Sequence, residues 1–216
     1  MGEILLACAD PREGGAMETL CGRRPFVLGV GKAAAACSVT SRLARHDVGA
    51  VLLFGVAGAY PAVDGPPLQV LDLALVAEQV FGDEGVATPS GFLGVGELGL
   101  ASELPLRNDP ALLDRAAAGL SSTRRVRCAT VSTCSGIDAL ALERAKRTEA
   151  AIETMESAAV ALACRRYAVP LLEVRCISNR TGDRDRAGFE LMRACLRAQE
   201  AAAQLFAALP EWLTPR

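Results

Sequence analysis

The amino-acid sequence predicts an α/β protein built as one domain, residues 1–216. Three observations predict it. Short apolar runs at 4–9, 26–30, 50–54, 68–80, 126–132 and in the first half of 171–186 have the composition of strands. Between them lie stretches with helical spacing, so that strands and helices alternate. No linker, repeat or low-complexity tract divides the 216 residues, a length that supports a substantial core.

The first strand, ILLACA, is broken by Asp10-Pro11, and Arg12-Glu13-Gly14-Gly15 continues as a loop-like segment. After the strand Phe26–Val30, Gly29-Val30-Gly31-Lys32 opens a helix through about Arg45, with Ala33, Cys37, Thr40 and Leu43/Ala44 on one face. The strand Ala50–Phe54 runs into Gly55-Val56-Ala57-Gly58-Ala59-Tyr60-Pro61, where Gly58 and its small neighbours let a backbone come close to a ligand or turn tightly. Residues 81–99, rich in Gly and interrupted by Pro89, read as a long loop, a class of segment that is often functional. Helices are expected at 109–120, 137–147 and from about Met155–Glu156 to Tyr167, the last stopping before Pro170. A final helix carries Phe189, Met192, Leu196, Ala203, Phe206 and Leu209 on one face and ends at Pro210.

Composition excludes several classes of function. A net charge of −2 without a basic block, and only 4% aromatic residues, disfavour nucleic acid as a partner. No run of 18 apolar residues exists, so no membrane span is expected. Glu3 stands where a secretory leader would carry positive charge, and the expected compartment is the cytoplasm. The eight cysteines never form a CxxC pair and only His46 could assist them, so no metal is expected and most of the cysteines are expected to be buried apolar thiols. With one histidine, expected near a helix C-terminus, a histidine-based triad has little basis. The GVGK piece lacks the first glycine and the Ser/Thr of a phosphate loop.

The most informative stretch is 171–186, LLEVRCISNRTGDRDR, together with ETMESAA at 153–159. The former reads as a strand ending in a polar cluster, Ser178, Asn179, Thr181, Gly182 and Asp183, and strand tips commonly hold ligands in α/β proteins. The same residues also suit an ordinary exit from a strand, with a self-paired DRDR turn on the surface. Glu156 stands in an otherwise apolar helix, where an inward carboxylate needs hydrogen-bond donors such as sugar hydroxyls.

GVGKAAAA, the GVAG turn, TMESAA and VRCISN occur in an order that resembles the purine nucleoside phosphorylase and nucleosidase superfamily. Within it, GVAGAYP at 55–61, DEGVATPSGF at 83–92 and VRCISNRTGDRDR at 174–186 look most like the futalosine hydrolases. The resemblance implies a three-layer α/β/α fold with a mixed, partly barrel-like central sheet. It implies a cytoplasmic homo-oligomer that needs no cofactor and cleaves the N-glycosidic bond of the nucleoside futalosine. The products would be hypoxanthine and dehypoxanthine futalosine, the latter for menaquinone synthesis. By position, Glu13 matches the glutamate that activates water, and Met155 and Glu156 match the pair against the ribose. Asn179 stands where adenine-specific nucleosidases have an aspartate, and its two N–H donors would suit N7 and O6 of a 6-oxopurine. Futalosine carries an aromatic carboxylate beyond its ribose, for which Arg180 and Arg184 offer donors and Phe92 a ring. Ser132–Ser135 should lie near the base without a definite role.

Two alternatives stay open at this point. A phosphorylase would use phosphate in place of water, although Val56 leaves the Gly turn without a hydroxyl. A binding protein that has lost the chemistry would turn Glu13 toward solvent.

Overall fold

The computed structural model describes residues 2–62, 65–100, 104–120, 122–183 and 188–213. Its strands are β1 (Glu3–Cys8), β2 (Phe26–Val27), β3 (Val48–Ala59), β4 (Leu73–Phe81), β5 (Gly85–Thr88), β6 (Gly91–Gly94), β7 (Leu106–Arg107), β8 (Thr123–Thr130), β9 (Ile152–Thr154) and β10 (Leu171–Arg180). The helices are α1 (Pro11–Gly14), α2 (Met17–Cys21), α3 (Lys32–Arg45), α4 (Pro110–Gly119), α5 (Asp138–Thr148), α6 (Ser157–Arg166) and α7 (Leu191–Trp212).

The main sheet runs β10-β4-β8-β9-β3-β1-β2, with β7 on β4, and β10 also pairs with β3. That second pairing closes β3, β9, β8, β4 and β10 into a ring, and β1 and β2 extend it outward from β3. The ring is mixed: β10 is parallel to β3 but antiparallel to β4, and β9 is antiparallel to β3 but parallel to β8. Its interior is filled by apolar side chains from all five strands, among them Ala57, Ala74, Val76, Cys128, Ile152 and Ile177. The long apolar run of β3 reflects burial on both faces, with helices against each. Helix α7 packs on β10 and β3 on one side, and α3 and α6 pack together on the other. This is the layered, partly barrel-like architecture expected.

Several local details differ from expectation. Residues 11–14 form a short helix where a loop was expected, because Asp10 caps it and the Glu13 side chain closes a capping box on the Asp10 backbone. The segment 81–99 contains a hairpin, β5–β6. Strand β9, three residues long, was not foreseen because so short a run carries no periodicity. The face of α3 that is buried carries Ala35, Val39 and Leu43, while Ala33, Cys37, Thr40 and Ala44 are exposed. On α7 the exposed residues include Met192 and Leu196, whereas Ala194, Cys195, Ala198, Ala202 and Leu205 face the sheet. In α7 alanine lets the axis approach the sheet, so the larger side chains alone do not mark its buried side. Helix α7 continues one residue pair past Pro210, to Trp212. Of the cysteines, Cys8, Cys128, Cys164, Cys176 and Cys195 are buried, while Cys37 and Cys134 are exposed. No helix of the described residues is long and apolar enough to cross a membrane.

Candidate active site

Strands β1, β3 and β10 are parallel neighbours, so their C-terminal ends open on the same edge of the sheet. A cavity of about 280 Å³ lies there, and its lining includes Glu13, Val56, Gly58, Glu153, Met155, Glu156, Asn179 and Arg180. The start of α7 closes another wall with Phe189, Leu191 and Cys195.

Glu13 is buried, and it is held by backbone alone. One oxygen, Oε2, accepts from the N–H groups of Ala9 (2.9 Å) and Asp10 (3.2 Å), and Oε1 accepts from Val56 N–H (2.8 Å). The carboxylate thus bridges the end of β1 to the glycine turn of β3. Gly55 is required for this approach: a Cβ there would lie 2.3 Å from Glu13 Oε1 and 2.8 Å from Arg175 Nη1. Glu13 therefore does not face solvent, and the feature that would have favoured a binding protein is absent from it.

Glu156 sits at the N-terminus of α6, buried, and its Oε1 accepts from Gly31 N–H at 2.8 Å. The turn before α3 thereby closes on the site, and its positive φ at Gly29 (88°) and Gly31 (95°) accounts for the glycines of GVGK without any phosphate. Burial pushes the Glu156 carboxyl above its ordinary value, although the Arg175 guanidinium opposes the rise.

Arg175, only 1% exposed, lies beneath these carboxylates on β10. Its Nε donates to Glu173 Oε1 (2.8 Å), and Nη2 donates to Ser157 Oγ (3.2 Å). Burial lowers its affinity for a proton, but Glu173, Glu13 and Glu156 outweigh that and hold it firmly charged. Neither Glu173 nor Arg175 was singled out in the sequence. The available signal was two opposite charges two residues apart in an apolar strand, which places them on one face.

A further wall of the cavity is built from Glu153 and residues 134–136. Glu153, also missed, accepts from the Ser135 N–H (2.9 Å) and hydroxyl (2.6 Å), and Arg144 donates to the same hydroxyl at 3.0 Å. Asp83 accepts from Ser132 N–H at 2.6 Å and pairs with Lys32 at 2.7 Å. Burial alone would raise the Asp83 carboxyl, but the Lys32 ammonium brings it below its ordinary value. The 83–92 segment therefore acts on the site indirectly, by fixing the loop after β8.

Gly58 lies between two site residues: a Cβ there would stand 3.5 Å from both Asn179 Nδ2 and Glu153 Cγ. The Asn179 amide is oriented by Ser178, whose hydroxyl donates to Oδ1 (2.8 Å), and Nδ2 donates to the Arg180 carbonyl (2.9 Å). One N–H is thus taken by the strand itself, and one remains for a ligand. Met155 lines the cavity. Arg180 also lines it, with Nη2 on Gln69 Oε1 at 2.5 Å. Phe92 does not line it; its ring packs under the Arg147 guanidinium, 4.3 Å from the centroid. Arg184 lies outside the described residues. Among the described residues no group of three His, Cys, Asp or Glu stands together as a metal site.

The sequence profile described as "Phosphorylase superfamily" matches residues 16–210. The chain is 38% identical over 185 residues to a futalosine hydrolase of Thermus thermophilus, covering 83% of this chain and 79% of that protein. It is 34% identical to a futalosine hydrolase of Streptomyces coelicolor, covering 85% and 78%. A solved futalosine hydrolase mutant from Helicobacter pylori superposes with a TM-score of 0.80 over 95% of this chain and 98% of that one, at 18% identity, a likeness of fold. The chain therefore belongs to the phosphorylase superfamily and, within it, to the futalosine hydrolase family.

Proposed function

We propose that this protein hydrolyses the N-glycosidic bond of futalosine, releasing hypoxanthine and dehypoxanthine futalosine. The observation that carries the reading is the buried Glu13 carboxylate, which shares one cavity with Glu156 and Asn179 in a chain so similar to futalosine hydrolases. Water is the attacking group. The ribosyl carbon passes through an oxocarbenium-like state, as in other glycoside cleavage. Glu13, with its oxygens anchored on three backbone N–H groups, takes the water proton as C–N bond breaking proceeds. Arg175 Nη1 lies beside it at Gly55 and helps to orient that water. Glu156 accepts from the ribose hydroxyls, with Met155 against the sugar face. The remaining Asn179 N–H stabilises negative charge on the departing purine.

The structure disfavours phosphate as the nucleophile. The Val56 N–H, which a phosphate would need from the glycine turn, already serves Glu13 at 2.8 Å, and Val56 has no hydroxyl. Asp10, Glu13 and Glu156 add negative charge to the cavity wall. The reading extends to a cytoplasmic homo-oligomer, supported by the family and by apolar Val86 and Leu93 exposed on the β5–β6 hairpin.

The test is to incubate the purified protein with futalosine, with and without phosphate, and to follow free hypoxanthine. Equal release in both is expected. Release that scales with phosphate and yields a sugar phosphate would replace hydrolysis by phosphorolysis.

A further inference from the structure

The ion pair between Glu173 and Arg175 is buried as deeply as any group in the molecule, at 0% and 1% exposure. Such a pair is costly to keep unless it serves something, because both ions lose their water. Its partners are also unusual. Glu173 Oε1 accepts from Arg175 Nε and from the Ser157 hydroxyl, and Oε2 accepts from Gln79 Nε2 at 3.0 Å. On the cavity side, Arg175 Nη1 reaches the same point beside Gly55 as Glu13 Oε1. One guanidinium therefore faces Glu173 below and Glu13 and Glu156 above.

We propose that Glu173 is a positioning residue for the reaction: it fixes the Arg175 guanidinium from beneath and takes up most of its charge, leaving Glu13 free to act on water. This rests on the nucleosidase reading of the site. Without the lower carboxylate, the full charge of Arg175 would bear on Glu13 and Glu156 and make both poorer proton acceptors. Other groups facing this cluster hold constant charge across neutral pH. Burial pushes the thiols of Cys8, Cys128 and Cys164 up to about 12 and that of Cys195 to about 11, so they stay neutral. Hydrogen bonding to Arg12 brings Asp10 down to about 2, so it stays charged, as does Arg12 itself. Glu13, Glu156, Glu173 and Arg175 are what remain to set the balance.

Gln79 offers a way to remove the charge alone. Its Oε1 is buried without a hydrogen-bond partner. In Glu173→Gln the new amide can donate to that oxygen after Gln79 turns over, and its own oxygen still accepts from Arg175. The expected result is a folded protein whose acidic limb in kcat/KM moves to lower pH by about half a unit or more, with kcat reduced on the order of 10-fold. The double variant Glu173→Gln/Gln79→Glu returns a carboxylate to the cluster and is expected to move the limb back. The same shift is read without substrate, from the carboxyl carbon signals of Glu13 and Glu156 in an NMR titration. A protein that cleaves no nucleoside would refute the nucleosidase reading, while the titration would still decide the part played by Glu173. A folded Glu173→Gln protein with the wild-type limb and wild-type carboxyl titrations would overturn the proposal. If that variant does not fold, a folded double variant with the wild-type titration supports it, and one with a displaced titration overturns it.

Discussion

At the scale of single residues, the site depends on carboxylates whose surroundings differ. Glu13 is satisfied by backbone N–H groups alone, so its negative charge is stabilised without a salt bridge to block it. Glu156 accepts from the Gly31 N–H, and burial raises its proton affinity. It therefore gains most from ribose hydroxyls that donate to it. Hydrogen bonds to a charged group contribute about 1.5–3 kcal/mol, so Glu156→Gln is expected to lower kcat/KM on the order of 10–100-fold. Steady-state kinetics with futalosine check this, beside a thermal melt to establish that the variant is folded. A folded variant with undiminished kcat/KM would remove Glu156 from ribose recognition. Glu13 and Glu156 were legible in the sequence because each matched a family position. Arg175, Glu173 and Glu153 were not. An apolar strand hides a buried ion pair, since pattern reading scores the strand by its majority, and their roles follow only from what other elements bring against them.

At the scale of elements, β10 organises the chain, as its sequence suggested. It closes the ring by pairing with both β3 and β4, and its C-terminal end delivers Ser178, Asn179 and Arg180 to the cavity. Strand and helix identities were largely readable from alternation and helical spacing, but helix faces were not. In α7 the buried side is rich in alanine, so size does not reveal which side is inward, and in α3 alanines occur on the exposed side as well as the buried one. Phe92, on a segment read as a loop, was expected to offer its ring to the far end of the substrate, and that ring packs under Arg147 on the β5–β6 hairpin. Arg180 remains on the cavity wall with its guanidinium on Gln69. If it meets the carboxylate of the substrate, Arg180→Ala will reduce the preference for futalosine over inosine, which shares base and ribose but lacks the extension. The expected loss is on the order of 10-fold or more, from one charge-assisted hydrogen bond. A ratio of kcat/KM values unchanged by the substitution would place the carboxylate elsewhere.

At the scale of the whole molecule, the ring of strands brings distant parts of the chain to one edge. Residues 13, 31, 55–58, 153–156 and 175–180 meet there, although no two of these segments adjoin in sequence. The layered, partly barrel-like architecture was reached through family resemblance, because alternation alone indicates an α/β fold but does not say that β10 pairs on both sides. What the closed ring supplies is a floor of buried charge, Glu173 and Arg175, beneath a cavity that Glu13 lines. The most direct measurement of this account is hypoxanthine release from futalosine under single-turnover conditions, comparing wild-type protein with Glu13→Gln. A folded variant slowed by roughly 10²-fold or more is expected, the scale of a lost general base. A folded Glu13→Gln protein releasing hypoxanthine at the wild-type rate would contradict it.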